Sequence, residues 1–422
     1  MSSGVEYSVF LAQESEVGVS KPRFAIISAP LAKTVSWGGG TDGGPAALLA
    51  ASPALEVFDD ELLQETVEAG IVTRPPLDLS SLELDEACRL IRQAVATELA
   101  AGLFPVVLGG EHTVSGPAVA AMRERYPDLH VVQVDAHLDL RDSYGGTPLS
   151  HASVMRRVDE MGVPFTQVGI RSFSKEEWLL VQKRGFTPFT MARIHEESDW
   201  LPQLLAGIEG PVYLTIDADG LDPAIMPATG TPEPDGLSWR QLTSLVKALA
   251  HHGRGLVGMD FVELAPRSGL EYADFTAAKL IYRAMGEVVK AGEGREEEEG
   301  EPFHQCRRCG YCCHGETTVS LDKADRERMS AHLGLPFNEL RDRYLRVTGN
   351  TVQMKTVDGH CIFYDNGCSI HPGRPWRCRQ WPLHPSMIDD PVNFKVITDS
   401  CPGFRKGLTH EEFRRKLAER KS

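Results

Sequence analysis

The sequence predicts an α/β protein in three layers, with helices on both sides of a mainly parallel sheet, followed by a small cysteine-rich, metal-binding domain. Three observations carry this expectation. From residue 105 to residue 292, short β-branched runs alternate with stretches of helical periodicity, the order that βαβ units require. Several of those runs end directly in histidine or aspartate, at the carboxyl ends of strands where open parallel sheets build their sites. Cysteine is unevenly spread: Cys88 stands alone, while Cys306, Cys309, Cys312, Cys313, Cys361, Cys368, Cys378 and Cys401 crowd together near the end. One structural plan does not account for both parts. The expected division is a domain over 1–290, an acidic linker over 291–302 and a second domain over 303–422.

The elements follow in order. RFAIISAP (23–30) reads as the first strand, and WGGGTDGGPAALLAAS (37–52) as a glycine-rich turn entering a helix. That turn lacks both the GxGxxG spacing and a Gly-Lys-Ser ending, so a phosphate cradle is not expected. Residues 84–102 repeat apolar side chains at helical spacing and close on Gly102, with Cys88 as core packing. Strand PVVLGG, helix GPAVAAMRERYP and strands HVVQVDAH, QVGIRS and VYLTIDAD come next. WRQLTSLVKALAHHG, GLVGMDFVEL and FTAAKLIYRAMGEVVKAG complete the domain as helix, strand and helix.

A chain of 422 residues with 42% hydrophobic content supports a sizeable core. It has no run of 18 apolar residues, and its first residues lack a basic region followed by an apolar one, so a soluble, cytoplasmic protein without a membrane partner is expected. Residues 1–302 hold 24 basic against 45 acidic side chains, and 303–422 hold 20 against 14. An acidic first part disfavours nucleic acid and steers cationic substrates weakly.

The chemistry concentrates in VVQVDAHLDLRDSYGGTPLSHASV (131–154). Its apolar run meets Asp135, His137 and Asp139 at i, i+2 and i+4, which an extended chain places on one side. His151 follows a glycine-containing loop. VYLTIDADGLDP delivers Asp217 and Asp219 in the same way, and PVVLGGEHT delivers His112 after a Gly-Gly turn. A lone DAH at a strand end is ordinarily a turn or a satisfied polar pair. Four carboxylates in one crevice are another matter, because each close pair repels by about 4 kcal/mol at 4 Å and an effective dielectric near 20. Cations must hold such a set. Two imidazoles with several carboxylates and no thiolate suit manganese or a similar divalent ion rather than structural zinc.

GGEHT (109–113), DAHLDLR (135–141), SHAS (150–153), IDADGLDPAIMPATGTPEPDGLS (216–238) and DFVELAP (260–266) together resemble the ureohydrolase family of arginase, agmatinase, guanidinobutyrase and formiminoglutamase. Glu111, Ala152 and Asp235 depart from the family's usual residues, but none replaces a ligand. The resemblance implies an arginase-like fold, a homo-oligomer (trimer or hexamer) and two Mn2+ ions. One ion would take His112, Asp135, Asp139 and Asp217, and the other His137, Asp135, Asp217 and Asp219. A bridging hydroxide would attack a guanidinium carbon too poor in reactivity for neutral water. Glu263 would grip the guanidinium by a forked hydrogen bond, and His151 would shuttle the proton, with Asp139 beside it in the catalytic set. The short segment between Arg141 and His151, with no evident clamp for a carboxylate, looks more like agmatinase than arginase. The expected reaction turns agmatine and water into putrescine and urea, a step of polyamine biosynthesis. Arginase, guanidinobutyrase or formiminoglutamase activity is the alternative.

The acidic run over 291–302 reads as a linker that cannot pack. CRRCGYCC, then CIFYDNGCSIHPGRPWRCRQWP, then Cys401, argue for metal rather than disulfides in a cytoplasmic protein. Four cysteines in eight residues do not suit one tetrahedral ion, so an iron-sulfur cluster or zinc sites are expected. This segment resembles the CxxCxxCC zinc- or iron-chelating family, which includes relatives of flagellin lysine N-methylase. A structural or redox appendage is expected; the alternative is a redox or protein-modifying protein in which the cysteine domain acts.

Overall fold

The structure is a computed structural model that describes residues 7–12, 22–299, 304, 307, 309, 311–315, 318–349, 351–365, 367–370, 373–380 and 386–419. The chain divides into two compact units, Met1–Gly294 and Arg295–Ser422.

The first unit is built on one eight-stranded sheet: β1 (Phe24–Ala29), β2 (Ile71–Thr73), β3 (Phe104–Gly109), β4 (His130–Val134), β5 (Phe165–Ile170), β6 (Phe189–Thr190), β7 (Val212–Asp217) and β8 (Leu256–Val262). Their spatial order is β2-β1-β3-β8-β7-β4-β5-β6, and every neighbouring pair is parallel. The central strands are mostly apolar and buried along nearly their whole length because both faces are covered. Val132, Val134, Leu214, Ile216 and Phe261 enter one core, shared with helices α1 (Gly44–Ala51), α6 (Met191–Glu196), α7 (Trp200–Ala206), α8 (Trp239–His251) and α9 (Glu271–Glu299). Val107, Val131, Tyr213 and Val262 enter the other, with α2 (Leu84–Ala100), α3 (Ser115–Arg125), α4 (Val154–Glu160) and α5 (Lys175–Arg184). Helix α8 shows how local sequence sets this up. Ser238 and Gln241 form a capping box at its start, and Leu242, Leu245, Val246 and Leu249 fall on its buried face. Each such leucine contributes about 1.5–3 kcal/mol by leaving water.

Two strands of this sheet were not expected from the sequence. β2 and β6 are edge strands of three and two residues, too short for an alternating pattern to register. The acidic stretch also differs from the expectation. α9 continues to Glu299, and Ala291 is buried in the same core as Met285 and Val288, so the start of the expected linker packs. Glutamate favours helix and no proline intervenes before Pro302, which is why the helix persists. Residues 300–302 lie outside the described residues.

The second unit holds two short antiparallel hairpins, Leu345–Thr348 with Thr351–Met354 and Thr356–Val357 with His360–Cys361. Helices Lys323–Leu333, Phe337–Tyr344, Pro391–Ser400 and His410–Glu419 accompany them. It has two small cores, one around Met329, Leu340 and Phe363 and one around Met387, Phe394 and Phe413.

Candidate metal centre

The strand order makes the site. β3, β8, β7 and β4 are consecutive neighbours, so the residues just past their carboxyl ends converge although they are far apart in sequence. His112 follows β3, Glu263 follows β8, Asp217 ends β7 with Asp219 beyond it, and Asp135, His137 and Asp139 follow β4. Gly110 is required at the turn into His112, since a Cβ there would meet the Leu31 carbonyl oxygen at 2.1 Å. β4 itself ends at Val134, and the alternation from Asp135 to Asp139 is carried by an irregular continuation in which Asp139 has φ 51°.

His112 Nδ1 lies 3.1 Å from Asp135 Oδ2, 3.1 Å from Asp139 Oδ2 and 3.3 Å from Asp217 Oδ2. His137 Nδ1 lies 3.2 Å from Asp219 Oδ2 and 3.5 Å from Asp135 Oδ1. Two groups bring three ligand atoms within 4.8 Å of one another: His112, Asp135 and Asp139, and Asp135, His137 and Asp219. Asp135 belongs to both. The acidic residues are held by neighbours: Asp135 accepts from Gln133 Nε2 at 2.6 Å and the His137 amide at 2.6 Å, and Asp217 accepts the Asp219 amide at 2.9 Å. Asp219 accepts from the Thr231 hydroxyl at 3.1 Å and the Ala136 amide at 3.2 Å.

Protons compensate poorly for so many buried charges. Burial, then the Asp135 charge, pushes the Asp139 carboxyl up to about 7. Burial, then Asp219 and Asp135, raises Asp217 well above the usual carboxylate range. Burial would lower His137, but Asp135 and Asp219 overcome it and push the imidazole up to about 12. His112 Nδ1 is fully buried and has no hydrogen-bond partner despite facing three carboxylates. An orphaned imidazole nitrogen among carboxylate oxygens at these separations fits divalent cations, and no thiolate competes.

Glu263 and His151 face the same cleft, of about 310 Å³, together with Trp37, Arg141, Tyr144 and Thr231. Glu263 sits at φ 61°, an uncommon conformation for a side chain of this type, and its Oε1 accepts the His112 amide at 2.8 Å. Burial pushes its carboxyl up to about 8. Burial lowers His151 to about 4, so its ring is neutral at pH 7. Its Nδ1 is 3.1 Å from the Thr34 hydroxyl, and the Lys33 and Thr34 amides both donate to Glu111 Oε2, at 3.0 and 2.6 Å. Glu111 is thus a longer arm that fixes the loop beside His151. Arg141 lies 3.7 Å from Glu177 and over the Tyr144 ring, so its charge is matched. Thr34, Trp37 and Arg141 were missed as site residues. The glycine-rich turn that opens at Trp37 was the one available signal.

The cysteines divide. Cys313, Cys361, Cys368 and Cys378 share one small core, and Cys312 is hydrogen-bonded to Cys313. Burial pushes the Cys378 thiol up to about 12. Cys401 belongs to the other core, with its Sγ 3.5 Å from His304 Nε2, and Cys309 is exposed. Cys306 lies outside the described residues. Among the described residues, no three cysteine sulfurs approach one another as closely as the histidine and aspartate groups do.

A parallel α/β/α sheet with an imidazole and carboxylate centre at its carboxyl edge defines a protein built to hold metal for chemistry on a small molecule. The chain belongs to the arginase family, whose model matches residues 22–286. Residues 305–402 match a second model, CxxCxxCC, described as "Putative zinc- or iron-chelating domain". The chain is 39% identical over 273 residues to the N(1)-aminopropylagmatine ureohydrolase of Thermus thermophilus, covering 65% of this chain and 92% of that protein. It is 38% identical over 257 residues to an agmatinase of Bacillus anthracis, covering 60% and 85%. In structure it is similar to the agmatine ureohydrolase of Thermoplasma volcanium, with a TM-score of 0.61 and 27% identity over 67% of this chain and 95% of that one. The protein is a hydrolase of the ureohydrolase type. Among the described residues, no helix is long and apolar enough to cross a membrane.

Proposed function

We propose that the first unit hydrolyses a guanidino amine, with agmatine as the substrate and putrescine and urea as products. The observation that carries the reading is the convergence of His112, Asp135, His137, Asp139, Asp217 and Asp219 on a cleft that also presents Glu263 and His151. The six would hold two divalent ions, and the carboxylate-rich set suits Mn2+. Such ions would supply Lewis-acid activation of water at neutral pH.

The rest falls to the chain's own side chains. Glu263 has one oxygen committed to the His112 amide, and its other oxygen accepts a guanidinium N–H. A bound cation favours its ionised form, countering burial. Neutral His151, oriented by Thr34, moves a proton to the departing nitrogen as the C–N bond breaks. The guanidinium cation plus water becomes an ammonium plus neutral urea, so charge and protons balance. Arg141 is neutralised by Glu177 and does not serve as a carboxylate clamp. The N-aminopropyl derivative of agmatine is the second reading, favoured by the name of the Thermus relative.

A urea-release screen on manganese-loaded protein tests both. Agmatine or its aminopropyl derivative should exceed arginine in kcat/KM by more than about tenfold, which is ~1.4 kcal/mol. Arginine as the best substrate would overturn the proposal. We further infer a homo-oligomer, trimer or hexamer, to be measured by light scattering. For the second unit we infer zinc or an iron-sulfur cluster in a structural or redox role, supported by the grouped thiols and the family match. Anaerobic purification separates the two, since a cluster absorbs near about 400 nm and zinc does not.

A further inference from the structure

One wall of the cleft is backed by a carboxylate with an uncommitted oxygen. Ser172 and Thr231 line the cleft, and the Ser172 hydroxyl donates to Glu233 Oε1 at 2.9 Å. Among the described residues, nothing bonds Glu233 Oε2 and no cation pairs with Glu233. Its backbone is held firmly. Arg171 Nη2 donates to the carbonyls of Glu233 and Asp219, both at 2.7 Å, and Arg171 Nε donates to that of Pro234 at 2.8 Å. One guanidinium thus ties Glu233 to a residue of the metal centre. Thr231, whose hydroxyl is 3.1 Å from Asp219 Oδ2, is two residues before Glu233, so their Cα atoms are at most about 7 Å apart, the scale of a four-carbon chain.

The neighbouring acidic side chains are spent. Glu177 accepts the Leu140 amide at 3.1 Å and the Ser174 amide and hydroxyl at 2.9 and 2.8 Å, with Arg141 beside it. Asp235 lies 2.9 Å from His195 Nε2. Two aromatic rings that also line the cleft are largely uncovered: Trp37 is 75% exposed, and Phe173 is 42% exposed and stacked on Trp178 at 5.2 Å. The backbone at Trp37 is pinned, because Arg267 Nη2 donates to the Gly38 carbonyl at 2.5 Å and a Cβ on Gly230 would come within 2.9 Å of the Trp37 carbonyl oxygen.

We propose, on the guanidino-amine reading above, that Glu233 is a specificity-determining residue whose uncommitted oxygen accepts from the ammonium on the chain of a substrate held by its guanidinium at Glu263. Ser172 keeps the carboxylate against the cleft wall. Trp37 and Phe173 offer apolar faces to the methylenes, and their ring faces attract a cation as well. The fitting substrate is a guanidine whose chain carries an ammonium about four carbons away, primary in agmatine and secondary in its aminopropyl derivative. Arginine bears a carboxylate on the carbon next to its ammonium, so the side chain that holds agmatine repels it. Arg141, already matched by Glu177, offers no counterweight.

The test measures kcat/KM of the full-length, manganese-loaded protein for agmatine, arginine and n-butylguanidine, which keeps the four carbons and lacks the ammonium. Wild type should prefer agmatine to butylguanidine by about tenfold or more, the strength of one hydrogen bond between charged groups. Glu233→Gln keeps an oxygen for Ser172 but no charge. It should lose about tenfold of that preference, mainly through KM, and its agmatine-to-arginine ratio should fall as well. Asp235→Asn, in the same loop, should keep both ratios, and circular dichroism establishes that each variant is folded. An unchanged agmatine-to-butylguanidine ratio in Glu233→Gln, or an equal drop in Asp235→Asn, would overturn the proposal. Should Glu233→Gln fail to fold, the absence of any preference for agmatine over butylguanidine in wild type is enough to overturn it. If wild type releases urea from none of the three, the functional reading fails. Calorimetric binding of agmatine and butylguanidine to wild type and Glu233→Gln then judges Glu233 by the same ratio, and agmatine that does not bind overturns this proposal too.

Discussion

Asp217 adjoins both imidazole groups, which share Asp135. It faces His112 at 3.3 Å and anchors Asp219 through a 2.9 Å bond to its amide. Asp217→Asn removes a charge from the proposed shared position, so urea release should fall by at least about a hundredfold and bound metal should drop, as read by elemental analysis. Near-normal turnover would sink the two-ion reading. Protonation gives a second prediction at this scale. With Asp139 near 7 and His137 near 12 in the metal-free protein, an entering ion must displace protons from both. Ion affinity therefore rises with pH and weakens as pH falls through about 7, and binding releases protons. Calorimetry in two buffers of different ionisation enthalpy measures that release; pH-independent affinity would contradict it. The candidate ligands could be picked out of the sequence because Asp135, His137 and Asp139, and Asp217 and Asp219, recur two residues apart where apolar runs end. Thr34 was not legible, because only the fold brings its hydroxyl within 3.1 Å of His151 Nδ1 from 117 residues away in sequence.

At the scale of elements, the turn between β3 and His112 carries the tightest demand. Gly110 donates its amide to Ala29 and accepts from the Glu263 amide at 2.7 Å, and its missing Cβ leaves room for Leu31. The obstacle is backbone and cannot rotate away. Gly110→Ala should cost about 3 kcal/mol, seen as a melting point lower by roughly 5–10 °C, and should weaken metal binding with it. A stability within about 0.5 kcal/mol of wild type would show that the turn is looser than described. The central strands and long helices were readable from pattern alone. The two edge strands and the helical course of the acidic stretch were not. In the first case two or three residues make no period; in the second, charge density suggested a linker where glutamates extended a helix already anchored by Met285, Val288 and Ala291.

For the whole molecule, the division near Gly294 implies that the first unit carries its own stability. A chain ending at Gly294 keeps the buried part of α9 and should retain two manganese ions and most of its urea release. Loss of activity in a folded, manganese-loaded truncation would make the cysteine-bearing unit part of the catalytic assembly. The position of β8 has a consequence for how the protein is made. It is the last strand of the eight-stranded sheet in sequence but lies between β3 and β7. Until it inserts, the emerging chain can build only two part-sheets, β2-β1-β3 and β7-β4-β5-β6, each with a bare inner edge. Until then His112, past β3, is held apart from Asp135, Asp139 and Asp217, so the ligand group at His112 is completed only when β8 enters, whereas Asp135, His137 and Asp219 come together on β4 and β7 without it. A chain stopped at residue 255 should scatter light through association of those open edges and should lack the ion expected at His112.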